Sequence, residues 1–355
     1  MKNVSAIRHY RVGGIPFRIE LESPWIPMEY TEPVKRRIEN AAAGLAQPVL
    51  PVRAGDKEPY RTLIQSREEF IPERTARMLD LSAIEPFLDE APGNERFRLV
   101  IHDTQEEPFD TDQDNGLILE AKDSQPYFKV YRRPEGTWFK ISSGMAPSLG
   151  CLLVSKDLAT ADYYPASGMS GGRVTSMLDM VLRVMFSYIP VSDPILLFHS
   201  SVIAKDGEAV MFLGASGTGK STHSRLWLEN IPGTELVNDD NPVVRIQDGK
   251  VYVYGTPWSG KTPCYRNIRV PLKAIVRLSQ APENSIARET GIHAYAALVG
   301  SVSQIRWERK VMDATTAAAS RLVAAVPVYS MRCLPDPEAA SVCGNGIGML
   351  VKMNV

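Results

Sequence analysis

Little in this sequence asks for a stored metal or an unusual environment. Its four cysteines and five histidines include no C-x-x-C pair and no Cys/His set at zinc spacing. That excludes the common zinc and redox motifs and leaves Cys151, Cys264, Cys333 and Cys343 as reduced structural thiols. Charge of one sign is missing too: the formal net charge is −1, so the balance implies neither nucleic acid nor a membrane surface as partner. No stretch approaches the ~18 apolar residues of a membrane span, and MKNVSAIRHYRVGGIPFRIE has no signal-peptide core, which makes a cytoplasmic protein the expectation. The acidic run from Asp103 to Asp114 lacks EF-hand spacing and reads as a solvated loop rather than a cation site.

What is present is enough chain for two domains: 355 residues, 44% hydrophobic and 23% charged. Residues 1–165 read as a β-rich α+β domain. HYRVGGIPFRIEL is a hairpin turning at Gly13-Gly14, YFKVYRR with TWFKISS is a second across Pro134-Glu135-Gly136, and a short helix is expected between them within 72–90. From residue 166 the period changes. Met177, Val181, Met185 and Ile189 recur at four-residue spacing on a helix whose broad apolar face suits core packing. Beyond it, strands and helices alternate: ILLFHSSVIA and EAVMFLG as an antiparallel pair, THSRLWLENI a helix, TELVNDD a strand, NPVVRIQDGKVYVYG a hairpin. VPLKAIVRL and PVYSMRCL are further strands, with helices over VMDATTAAASRLVAAV and DPEAASVCGNGIGML. That order predicts an α/β domain over 166–355 built on a mixed sheet flanked by helices.

Two segments match the phosphate-loop (Walker A) pattern G-x-x-x-x-G-K-[ST], GASGTGKS at 214–221 and GTPWSGKT at 255–262. The first has the surroundings the chemistry needs, a buried strand before it and a helix after it. Glycines 214, 217 and 219 let backbone N–H groups turn inward around phosphate oxygens, and the helix dipole adds positive field. Gly214, Ala215, Ser216, Gly217, Thr218, Gly219, Lys220, Ser221 and Thr222 form the expected ATP cradle, with Lys220 reaching the β and γ phosphates and Ser221 ligating Mg²⁺. The second match is followed by Pro263, with Pro257 inside it and Pro271 beyond. A helix-interior proline costs about 3 kcal/mol, so no helix follows and no dipole faces a phosphate. It is expected to form the acceptor side of the same cleft instead, with Gly255 and Gly260 supplying bends, Trp258 a wall and Lys261 a charge.

Asn238-Asp239-Asp240-Asn241 reads either as a polar turn before Pro242 or as the acids that phosphoryl transfer needs, one for Mg²⁺ and one for the acceptor hydroxyl. Behind a sound phosphate loop the second reading is favoured. His199, on the strand before the phosphate-loop strand, is a lone histidine that spacing alone does not single out.

Together, FHSSVIAKDGEAVMFLGASGTGKST and VNDD resemble the catalytic domain of the HPr kinase/phosphorylase family, over roughly residues 195–280. GASGTGKST is also similar to the phosphate loop of ATP-dependent phosphoenolpyruvate carboxykinase. The resemblance implies that His199 assists the acid pair, that Asp239 is the base on the acceptor hydroxyl and that Asp240 helps hold Mg²⁺, although the division between the two acids stays open. It also implies a phosphate contact from Arg266 and, from the family's hexamers, a homo-oligomer. The family's glycine-rich signature after that arginine is replaced here by NIRVP, which leaves the acceptor open between a protein or peptide serine and a small metabolite. The function expected is a Mg-ATP-dependent kinase. The alternative is a nucleotide-gated binding module in which the first domain recognises a partner and nothing is transferred.

Overall fold

Strand Glu208–Leu213 explains the architecture of the second half of the chain. Its side chains alternate between two cores: Ala209, Met211 and Leu213 join one cluster, Val210 and Phe212 the other. A strand buried on both faces needs a helix layer on each side, which is why it reads as an unbroken apolar run. Each fully buried large side chain contributes about 1.5–3 kcal/mol.

The computed structural model describes residues 4–29, 35–36, 39–40, 42–43, 77–91, 93–103, 116–121, 127–143, 148–260 and 262–350. The chain divides into two compact units, residues 1–34 with 48–185 and residues 35–47 with 186–355. The strands of the first are β1 (Val4–Val12), β2 (Ile15–Glu22), β3 (Ile26–Pro27), β4 (Met78–Leu79), β5 (Phe97–Ile101), β6 (Leu117–Ala121), β7 (Tyr127–Arg132), β8 (Gly136–Ser142), β9 (Ser148–Ser155) and β10 (Thr160–Pro165). Eight of them form one sheet in the order β1-β2-β5-β10-β9-β8-β7-β6. Both hairpins expected from the turn residues are there, β1 with β2 and β7 with β8. The helix expected within 72–90 reduces, among the described residues, to a 3-10 turn at Glu85–Phe87. Of the acidic run, all but Asp103 lies outside the described residues.

Helix α1 (Gly171–Tyr188) starts in the first unit, and the division falls near its C-terminal end rather than ahead of it. Its early turns are fastened to the first unit, where the Asp80 amide donates to Thr175 Oγ1 at 3.0 Å. By length and composition the stretch Gly171–Val191 passes for a membrane span, with mean hydropathy 1.3 and half of it buried within the protein. Counting unbroken apolar residues misses it because Asp179 and Arg183 interrupt the run. Val174, Leu178, Val181, Leu182, Met185 and Phe186 are all buried.

The second unit continues with β11 (Ile195–Leu197), β12 (Ser200–Lys205), β13 (Glu208–Leu213), α2 (Lys220–Asn230), β14 (Thr234–Asp240), β15 (Val243–Gln247), β16 (Lys250–Tyr254), β17 (Arg269–Gln280), β18 (Ser285–Glu289), α3 (Gly291–Val299), α4 (Arg309–Ala325), β19 (Val328–Cys333) and α5 (Pro337–Gly346). The sheet order is β11-β15-β16-β17-β13-β12-β14, with β19 beside β17 and β18 beside β19. Parallel pairs β13/β17 and β17/β19 sit among antiparallel ones. Leu226 and Trp227 of α2 with Ala340 and Cys343 of α5 cover one face; Leu298 of α3 with Ala318 and Leu322 of α4 cover the other. The chain is therefore a mixed α/β protein with large sheets and, in this unit, helices on both faces.

Candidate functional site

Strand direction decides what meets at one end of the second sheet. β13 and β14 each run antiparallel to β12, so both end where β12 begins. Three features converge there: the glycine-rich loop leaving β13, the acid pair closing β14, and His199. The histidine lies in the bend between β11 and β12 rather than on a strand, held by its N–H donating to the Ser301 carbonyl at 2.7 Å.

The loop is wound by glycine. Gly217 and Gly219 have φ of 80° and 106°, and a Cβ at either would meet nothing within 4 Å, so it is backbone conformation rather than crowding that selects the residue. Helix α2 begins at Lys220 with Gly219 as its N-cap and no side chain capping it. Its first amides are thus free for an anion. Lys220 is buried, and its Nζ donates to the carbonyls of Gly214 (3.0 Å) and Ala215 (3.3 Å). Burial pushes the pKa of this ammonium down, partly offset by the carboxylates of Asp240 and Asp239.

Adjacent residues on a strand face opposite ways, and the acid pair shows it. Ser201 pairs in register with Asp239, and both turn to α2: Ser201 Oγ lies 2.6 Å from Ser224 Oγ, and Ser221 Oγ donates to Asp239 Oδ1 at 2.9 Å. Ser200 pairs with Asp240, which puts that acid beside His199, whose Nδ1 is 3.0 Å from Asp240 Oδ1. Asp239 is buried at 6% exposure, whereas the Asp240 side chain keeps 29% of its surface open. The sites expected at Lys220, Ser221, Asp239, Asp240 and His199 are thus brought together.

Arg266 is not. Its guanidinium donates to the Leu236 carbonyl (2.7 Å) and to Glu235 (2.8 Å), near the far end of β14 from the acids. The strand rises ~3.3 Å per residue, which leaves this arginine about 10 Å away along β14.

The second glycine-rich segment forms no helix in its described residues, and Lys261 lies outside them. Trp258 is not a cleft wall: it is buried, edge-on to Phe186 at 4.9 Å. The segment instead covers β14, the edge strand of the sheet, at its acidic end. Ser259 bridges to Asp240, and the Gly260 amide donates to the Asp239 carbonyl at 2.6 Å. The Trp258 carbonyl accepts from the Asn241 amide and from Asn238 Nδ2, both at 3.3 Å. Sequence reasoning missed this brace, whose bonds are largely to backbone atoms. The asparagines flanking the acids were the available signal. A Cβ on Gly260 would stand 2.9 Å from the Asp239 carbonyl oxygen, so Gly260→Ala is expected to push the brace off the acid pair. Loss of activity on the order of tenfold, with ATP binding kept, is the expected result in a paired kinetic and calorimetric measurement.

On α2, His223 is a structural residue. It is 2% exposed, edge-on to Phe212 at 4.7 Å, and Trp227 Nε1 donates to its Nε2 at 3.2 Å. Burial pushes its pKa down to about 4. A depressed folded-state value means stability that is whole above the unfolded value of ~6.5 and is lost as pH falls towards the folded one. Between pH 7.5 and 5 the wild type is expected to lose about 2 kcal/mol more than His223→Leu in denaturant unfolding.

Among the described residues, no group of three or more His, Cys, Asp or Glu side chains is arranged to hold a metal by itself. Mg²⁺ does not need one, since it is commonly bound by one or two carboxylates together with substrate phosphates.

Residues 172–335 match the family described as SynChlorMet cassette protein ScmC. The structure of the HPr(Ser) kinase/phosphatase from Coxiella burnetii is similar at 13% identity, covering 42% of this chain and 95% of that one, with a TM-score of 0.27. A likeness at that level carries no argument, and the site rests on its own geometry. No curated protein matches the chain.

Proposed function

We propose that the second unit is a phosphate-loop, Mg-ATP-dependent phosphotransferase acting on a hydroxyl acceptor. One observation carries the reading: at a single sheet end, the serine that follows a buried loop lysine is hydrogen-bonded to one acid, and a histidine nitrogen lies 3.0 Å from the next. A phosphate loop, a metal-side carboxylate and a base are the parts that phosphoryl transfer requires. The residues fit the nucleotide, because the first amides of α2 are uncapped and the Lys220 ammonium is buried beside them. When bound, Mg-ATP supplies the transferable γ-phosphoryl group.

The remaining work falls to the chain. The amides at the start of α2, from Gly219 to Ser221, and the Lys220 ammonium would bind phosphate oxygens. Ser221 and Asp239 would hold the metal side, as their bond supports. Asp240, the more open acid, takes the acceptor's proton on its carboxylate, and His199 Nδ1 holds that carboxylate in line. This assigns the two acids in the opposite sense to the one that the family resemblance implies. The acceptor remains a protein or peptide serine or a small metabolite.

The test is ADP release by purified protein given Mg-ATP and either small-molecule or macromolecular fractions of the source cells. ADP release that depends on one fraction is expected. ATP binding without acceptor-dependent ADP in either fraction would favour the nucleotide-gated binding module.

A further inference from the structure

Thr256 has one hydroxyl and uses it three ways. The residue is fully buried. Its Oγ1 donates to the Asn241 carbonyl at 2.8 Å, and accepts from Asn238 Nδ2 at 3.1 Å and from the Trp258 amide at 3.3 Å. A hydroxyl offers one proton and two lone pairs, so its capacity is filled. Asn238 and Asn241 are the residues on either side of the acid pair, and both are buried. The β12 ladder holds only one side of β14 and ends at the Ser200/Asp240 pair, while Pro242 after it has no N–H to donate. What fixes the backbone of the two acids on the other side is this loop, and Thr256 is the atom-level junction between its two anchor points.

We propose that Thr256 is a positioning residue of the phosphotransfer site. Its hydroxyl ties Asn238 to Asn241 and so holds the Asp239 carboxylate towards Ser221 and the Asp240 carboxylate towards His199. The inference rests on the phosphotransferase reading for what the acids do, and on the hydrogen bonds alone for how they are held. The near-copy of a phosphate loop at 255–262 thereby acquires a role: it serves the acids and not a second nucleotide.

The experiment compares full-length wild type, Thr256→Ser, Thr256→Val and Thr256→Ala by two readouts. The first is a Mg²⁺ titration of ATP binding by calorimetry; the second is the kcat and KM of transfer. Thr256→Val keeps the shape and removes the hydroxyl that the buried Trp258 amide donates to and the Asn241 carbonyl accepts from. Thr256→Ala leaves room for a water and keeps a folded protein if the valine variant fails. In the folded variants lacking the hydroxyl, the Mg²⁺ needed for half-maximal tightening is expected to rise about tenfold, with ATP affinity in the absence of Mg²⁺ within about twofold. The same variants are expected to lose about tenfold in kcat with KM for ATP nearly unchanged, and Thr256→Ser to stay within about threefold of wild type throughout. A merely structural role predicts a lower melting temperature with wild-type Mg²⁺ dependence and kcat in the folded fraction, which would overturn the proposal. A wild type that binds Mg-ATP but transfers nothing removes the kinase reading and leaves the Mg²⁺ titration to decide Thr256. A wild type that binds no ATP overturns both.

Discussion

Asp240→Asn is expected to lower phosphoryl transfer by about 10²–10⁴-fold, the range a positioned general base contributes, while leaving ATP bound at least as tightly. The amide keeps the shape of the carboxylate and can still meet His199 through its oxygen, but it cannot take the acceptor's proton. Affinity is expected to hold or rise because the change removes a negative charge that faces Lys220, where Asp240 is the larger of two carboxylate influences on that ammonium. Asp239→Asn has a different signature. It disturbs the acid bonded to Ser221, so it is expected to weaken the dependence on Mg²⁺ before it touches proton transfer. Single-turnover kinetics with calorimetry separate the two variants. Asp240→Asn with wild-type turnover, and Asp239→Asn with normal Mg²⁺ dependence, would restore the division of roles that the family resemblance implies.

The second large effect is at Lys220. Its ammonium donates to two carbonyls of its own loop, so on the proposed reading it is both the charge offered to the nucleotide and a strut inside the turn. Hydrogen bonds to a charged group are worth about 1.5–3 kcal/mol each. Losing the two such bonds that this ammonium would make to phosphate oxygens is expected in Lys220→Ala to cost about 10²–10⁴-fold in ATP affinity, read by calorimetry with Mg²⁺ present. Arginine is not a conservative replacement here, because its wide planar fork does not fit where a compact point charge sits. Retention of full ATP affinity by Lys220→Ala would point to another nucleotide site, with the segment at 255–262 as the first place to look.

Side-chain patterns make much of this candidate site legible in the sequence. The apolar run of β13, the glycines after it and the acids closing TELVNDD each carry a local physical signature. Strand direction then gathers them without further instruction. The orientation of the acids was not legible, because alternation on β14 says that Asp239 and Asp240 face opposite ways but not which meets α2. That depends on the register with β12, where Ser201 and Asp239 form one pair. Arg266 misled for a related reason: its position after the second loop matches a phosphate-contacting arginine, yet Glu235 captures it. The role of the second loop was hidden more deeply, since the Gly260 amide and the Trp258 carbonyl belong to any residue type. In the first unit, turn residues announced both hairpins. The parallel pairs β2/β5 and β5/β10 join distant segments and leave no local mark.

Transfer of label from γ-labelled ATP tests the central claim most directly. Wild type, Asp240→Asn and Thr256→Ser would each be incubated with Mg²⁺ and extract of the source cells, and the products separated into small-molecule and macromolecular fractions. The account predicts label in one fraction with wild type and Thr256→Ser, and almost none with Asp240→Asn. Label in neither fraction from a wild type that binds Mg-ATP, or equal label from Asp240→Asn, would contradict it.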